Sequence, residues 1–261
     1  MRLPSVVHRI ARGELGYRVR TALLDRRESD QFIAAFPRSG STWLRTMLTD
    51  VLVPGADGNP SVFNARIPGI KLRRIRALRQ RESPRLMMTH SPWQPALGRV
   101  VYVVRDGRAA LVSYYHYLTT RKGMFVPFDQ FYERYNRGEY GVTWDRHVRG
   151  WLGAGVKANP DNIKVVRFET MLADARLVLA DVCDFLSIEH DEDRIAYAAG
   201  RASLENARQI EAQRRGPQAT GDASFYRGGT SRSGPSLLSG DVLDHFLGVA
   251  RDALDLAGYE G

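Results

Sequence analysis

The residues best suited to chemistry lie at the ends of short apolar runs. After Phe32-Ile33-Ala34-Ala35-Phe36 comes Pro37-Arg38-Ser39-Gly40-Ser41-Thr42-Trp43, a small-residue turn that passes directly into a helical pattern. Such a turn presents several backbone N–H groups beside the positive end of a helix dipole, which suits a phosphate. Ser39, Ser41 and Thr42 add hydroxyl donors, and Trp43 offers a flat apolar face for stacking. Gly40 and Thr42 fall in register with a Walker A loop, but Ala35 replaces its first glycine and Ser41 its lysine. That departure argues against a magnesium-dependent nucleotide triphosphatase. The cation stands instead at Arg38, inside the loop, where it can neutralise charge on a transferring group and its leaving oxygen without a metal. A base of near-neutral pKa is also available. Among the six histidines, His90 alone ends a predicted strand at the binding edge, in Leu86-Met-Met-Thr-His90.

Four runs read as buried strands: Phe32–Phe36, Leu86–His90, Val100–Arg105 and Ile163–Phe168. Helical periodicity follows the first, third and fourth, over Thr42–Leu52, Ala109–Leu118 and Met171–Leu186. Alternation of this kind predicts an α/β fold, a single domain with a central, mostly parallel sheet flanked by helices and a P-loop-like loop after the first strand. Ligands then bind at the carboxyl ends of the strands. The 261 residues, 43% of them hydrophobic, suffice for one core without staples, taken as one domain over 1–261 with a core of about 30–250 and an N-terminal extension over 1–29. Pro54–Gly69 and Gly216–Ser239, rich in turn formers, read as irregular segments. The lone Cys183 sits in an apolar run and reads as a small core residue, which favours the cytoplasm. No apolar run approaches the ~20 residues that span a bilayer, and Met1–Arg27 lacks an apolar signal core. The net charge of +9, with arginine supplying all but four of 38 basic residues, admits a polyanionic polymer, an anionic surface or a small anion as partner.

Phe36-Pro-Arg-Ser-Gly-Ser-Thr-Trp43 resembles the 5′-phosphosulfate-binding loop of sulfotransferases that use 3′-phosphoadenosine 5′-phosphosulfate (PAPS), usually Tyr-Pro-Lys-Ser-Gly-Thr-Thr-Trp. Three further segments resemble the same family in the same order. Val101-Tyr-Val-Val-Arg105 through Ser113 is similar to its 3′-phosphate motif, implying that Arg105 and Ser113 grip one phosphate. Trp144-x-x-His147-Val…Trp151, followed by Ile163-Lys-Val-Val-Arg-Phe168-Glu169-Thr-Met171, is similar to a family helix and strand and implies that Phe168 lies near adenine. Arg227-Gly228-Gly229, with Arg232 beyond it, resembles the segment that closes over the 3′-phosphate, although Gly228 replaces a lysine. Thr89-His90 resembles the catalytic-base segment, with Met88 where a lysine usually stands.

The resemblance implies sulfuryl transfer from PAPS to a hydroxyl or amine of a small molecule, leaving 3′,5′-adenosine bisphosphate (PAP), without metal, nucleic acid or stable membrane insertion. His90 is then the base and Arg38 the electrostatic stabiliser, with Ser39, Gly40, Ser41, Thr42, Trp43, Arg105, Ser113, Phe168, Arg227, Gly228 and Gly229 binding the nucleotide. Phe63, Phe125 and Phe128 suit an apolar acceptor. Two rival readings are a P-loop kinase of small molecules, from the register of Gly40 and Thr42, and a binder of nucleic acid or anionic surfaces, from the net charge.

Overall fold

The protein is described here by a computed structural model covering residues 22–95, 98–202 and 237–260, with Gly16 and Val19. Arg227, Gly228, Gly229 and Arg232 lie outside the described residues. Four short strands, β1 (Gln31–Ala35), β2 (Leu86–Thr89), β3 (Arg99–Val104) and β4 (Ile163–Arg167), pair in the order β2-β1-β3-β4. Every pairing is parallel, with Ile33 opposite Met88 on one side and Val101 on the other, and Tyr102 opposite Val165. A parallel sheet covered on both faces needs apolar residues at successive positions, and β1 is buried at Phe32, Ile33, Ala34 and Ala35. The strand's two-residue period sends Phe32 and Ala34 into one core, with Tyr102, Trp144, Trp151 and Phe246, and Ile33 and Ala35 into the other, with Leu48, Val101, Val103 and Val182.

The described α-helices of five residues or more are α1 (Ser41–Leu52), α2 (Pro60–Arg66), α3 (Ile75–Arg79), α4 (Gly107–Lys122), α5 (Phe128–Asn136), α6 (Trp144–Val148), α7 (Phe168–Ala173), α8 (Ala175–Phe185), α9 (Glu192–Arg201) and α10 (Gly240–Leu256). Beyond α6 the chain continues through a π-helical stretch, Arg149–Gly155. From β1 the chain crosses to β2 on one side, while β3 lies on the other, so the strand order reverses at the carboxyl ends of β1 and β3, the crevice where open α/β sheets bind ligands.

Sequence boundaries shift in informative ways. Each of the four strands ends one residue short of the run read from sequence, so Phe36, His90, Arg105 and Phe168 stand just past the ladder, and Phe168 already opens α7. The expected single helix over 171–186 is two, broken at Asp174 (φ −147°, ψ 89°), whose carboxylate accepts the Leu177 N–H as the cap of α8. Within Pro54–Gly69, α2 starts at Pro60 with Asn59 accepting from Ser61 N–H, a proline-led helix of 7 residues, too short to show a period. At the amino ends of β1 and β2, the fully buried Arg85 pairs with the equally buried Asp30, Nε to Oδ1 at 2.6 Å and Nη2 to Oδ2 at 2.5 Å.

Candidate active site

The loop after β1 is shaped by two residues in the left-handed region. Arg38 has φ 73° and Gly40, the N-cap of α1, has φ 99°. Glycine is required at 40 for a second reason. A Cβ there would lie 2.5 Å from Phe168 Cδ2 and 3.2 Å from Met171 Cε. With no side chain capping α1, Trp43 N–H turns to the Gly40 carbonyl at 2.9 Å, while the Ser41 and Thr42 amides are left without an intrahelical acceptor. Strain at Arg38 costs on the order of 1–2 kcal/mol, and such strain gathers where function holds it. Buried donors collect at the same place: Ser39 Oγ, Trp43 Nε1 and Arg105 Nε have no hydrogen-bond partner among the described residues. Unpaired buried donors are costly, and a cluster of three beside a helix N-terminus fits an anionic ligand carrying acceptor oxygens. Trp43 does not offer the open face expected of it. It is buried and meets Phe168 edge-on, ring centroids 5.9 Å apart.

Arg105 leaves β3 where the strand order reverses, and its guanidinium sits 4.4 Å from the Phe168 ring centroid while Nη1 donates to the Arg38 carbonyl at 3.4 Å. Its own carbonyl accepts from Trp144 Nε1 at 3.1 Å, and at Gly107 a Cβ would strike the Trp144 ring at 2.7 Å. The turn is thereby pressed against α6. Burial pushes the Arg105 pKa down, partly offset by Glu169 and Asp106. Ser113, on α4, faces the same loop, its hydroxyl accepting from Arg38 Nε at 3.1 Å. Arg38 thus contacts both residues expected to grip the 3′-phosphate, Arg105 through its carbonyl and Ser113 through its guanidinium. Arg38 also lies over the Tyr117 ring, 5.4 Å from its centroid.

His90 stands past the end of β2, half-buried, with Nδ1 2.7 Å from the Ala35 carbonyl. A carbonyl only accepts, so Nδ1 carries the proton and Nε2 keeps a free lone pair. Burial, opposed by the Ala35 contact and reinforced by Arg45, Arg38 and Lys71, lowers its pKa to about 4. The ring is therefore neutral near pH 7 and can accept a proton at Nε2. His147 is a core residue, paired through Nδ1 to Tyr102 Oη at 2.9 Å and lowered by burial to about 3. Cys183 is buried and its thiol is raised to about 12, which removes it from nucleophilic work.

Ser39, Ser41 and Trp43 are buried, whereas Gly40 and Thr42 are half-buried. Of the aromatics expected to face an acceptor, Phe63 lies under Arg45 (4.6 Å) and Phe128 packs on Tyr115 and Phe131, leaving Phe125, 90% exposed. Sequence reasoning missed Glu169, whose Oε1 accepts from the Asp106 N–H at 3.4 Å and whose Oε2 accepts from Tyr259 Oη at 2.5 Å, tying three segments beside Arg105. Its place next to Phe168 was the available signal. Tyr117, one turn beyond Ser113 on α4, was missed as well.

The family model for the sulfotransferase domain matches residues 28–241. An amine sulfotransferase of Oryctolagus cuniculus is 25% identical over 198 residues, 70% of this chain and 64% of the relative, so the chain spans slightly less than two thirds of that protein. Sulfotransferase 2A6 of Mus musculus is 26% identical over 252 residues, 88% of this chain and 82% of the relative. The fold is similar to that of mouse sulfotransferase SULT7A1 complexed with PAP, with TM-score 0.67, 19% identity and 92% of each chain covered.

Proposed function

The chain belongs to the sulfotransferase-domain family, and from that premise we propose that it transfers a sulfuryl group from PAPS to a hydroxyl or amine of a small molecule in the cytoplasm. The observation that carries this reading is the gathering of Arg38, Arg105 and His90 at the carboxyl ends of β1, β3 and β2, around the buried unpaired donors of Ser39, Trp43 and Arg105. Bound PAPS supplies an activated sulfuryl group on a phosphate leaving group. The α1 amides and Arg38 hold the 5′ end. Arg105 holds the 3′-phosphate, with Phe168 between it and Gly40 as an apolar wall for adenine.

His90 Nε2 takes the acceptor proton as the acceptor's oxygen or nitrogen bonds to sulfur and the sulfur–oxygen bond to phosphate breaks. Arg38 offsets the charge that grows on the departing oxygen. As a guanidinium it stays charged, so its part is electrostatic and not proton donation. Arg227, Gly228 and Gly229 belong to this reading as the segment over the 3′-phosphate. The anion also adjusts the base, since negative charge beside Arg38 offsets one of the cations that hold the His90 pKa down.

Calorimetric titration with PAP tests the reading. Binding is expected in the unmodified chain, and Arg105→Ala is expected to weaken it at least about tenfold, the size of a lost charge-assisted contact. No heat of binding, or equal affinity in the variant, overturns it.

A further inference from the structure

The carboxyl end of α2 carries more positive charge than a helix end needs. Arg45 donates from Nε to the Ile67 carbonyl (2.5 Å) and from Nη2 to the Phe63 carbonyl (3.1 Å) and Asn64 Oδ1 (2.8 Å). Arg81 donates to the carbonyls of Ala65 (2.6 Å) and Arg66 (3.0 Å). Capping by cations at a helix C-terminus is favourable, but the dipole there amounts to roughly half a negative charge. Arg45 and Arg81 already satisfy its carbonyls. Arg74 adds a third guanidinium through one long contact, Nη1 to the Asn64 carbonyl at 3.4 Å, and most of its five N–H donors are directed to no protein acceptor given by the structure. None of these three has a carboxylate partner among the described residues. The crowding registers electrostatically, since Arg74 helps to depress Arg45 and Arg66 helps to depress Arg81, each after burial.

Beside these cations, between α2 and α3, lies a cavity of about 600 Å³, within the range of small-molecule sites. The half-buried Arg74 and Arg81 line it on one side, and Pro60, Pro68, Ala77 and Leu78 supply apolar wall; none of the described lining residues is acidic. We propose that this cavity binds an amphipathic organic anion, an oxyanion head on Arg74 and Arg81 with an apolar body against Pro60 and Ala77. The lining shares no residue with the proposed active site, so the two readings stand or fall separately. A sulfate ester and a carboxylate share the required chemistry. Either head can accept two N–H groups from a guanidinium fork.

The test is calorimetric titration of the full chain with hexyl sulfate, with hexanoate and with inorganic sulfate, each with PAP at a concentration that saturates any nucleotide site. Hexyl sulfate or hexanoate is expected to bind, whichever is tighter naming the head group, and inorganic sulfate to bind more weakly. Arg74→Gln is expected to weaken the organic anion about tenfold or more. Ala77→Asp, at an exposed position of α3, is expected to do the same while leaving PAP affinity and the thermal midpoint unchanged. Unchanged organic-anion affinity in both variants overturns the site, as does absence of any organic-anion binding; inorganic sulfate binding as tightly overturns its amphipathic character. Loss of PAP binding alone overturns only the active-site reading.

Discussion

At the scale of single residues, His90 is governed by one contact and three cations. The Ala35 carbonyl fixes its tautomer, while burial with Arg45, Arg38 and Lys71 lowers its pKa to about 4. Removing the imbalance with an anion should show directly. In an NMR titration the His90 pKa is expected to rise on addition of PAP, and no rise would disconnect the base from the nucleotide loop. His90→Ala is expected to cut turnover by at least ~10²-fold, the usual worth of a positioned base, with PAP affinity kept. The same depression makes stability depend on acid. Because the folded His90 binds its proton more weakly than the unfolded one, the stability due to its neutral form is present above about pH 6.5 and lost as pH falls toward 4. The urea midpoint is therefore expected to fall across that window, less steeply in His90→Ala, with His147 extending the fall toward pH 3. The candidate roles of Arg38, His90 and Arg105 were legible because each stands at the end of an apolar run. Their mutual contacts were not, since the Ser113–Arg38 bond depends on the rotation of α4 against the loop after β1.

At the scale of elements, the strand–helix alternation was readable because buried parallel strands leave continuous apolar runs, whereas the limits of elements were set by local chemistry such as the Asp174 cap. Helix α2 escaped notice because two of its anchors, Arg45 and Arg81, come from segments distant in sequence. The Arg85–Asp30 pair is another long-range device, joining the starts of β1 and β2 with a backbone bond from Gln31 N–H to the Arg85 carbonyl at 2.9 Å. Removing one partner leaves the other charge buried and alone. Arg85→Met is expected to destabilise the fold by about 3–5 kcal/mol in urea unfolding, while a double replacement of Asp30 and Arg85 by apolar residues of similar volume is expected to lose much less. Equal losses would mean that the pair is not the source.

At the scale of the molecule, the charge of +9 resolves into separate tasks. Arg38 and Arg105 serve the candidate site, Arg85 a buried ion pair, and Arg45 and Arg81 a helix end. Total charge was visible in the composition, but its division among these tasks required coordinates. A chain that offsets the leaving-group charge with Arg38 should transfer its sulfuryl group undiminished in EDTA; a magnesium requirement would overturn that role for Arg38. Among the described residues no helix is long and apolar enough to cross a membrane. The left-handed backbone of Arg38 has a consequence for anyone evolving the protein. Glycine at 38 would relax that backbone by about 1 kcal/mol, so a library selected only for heat tolerance should drift toward it, and the most thermotolerant clones should be catalytically silent.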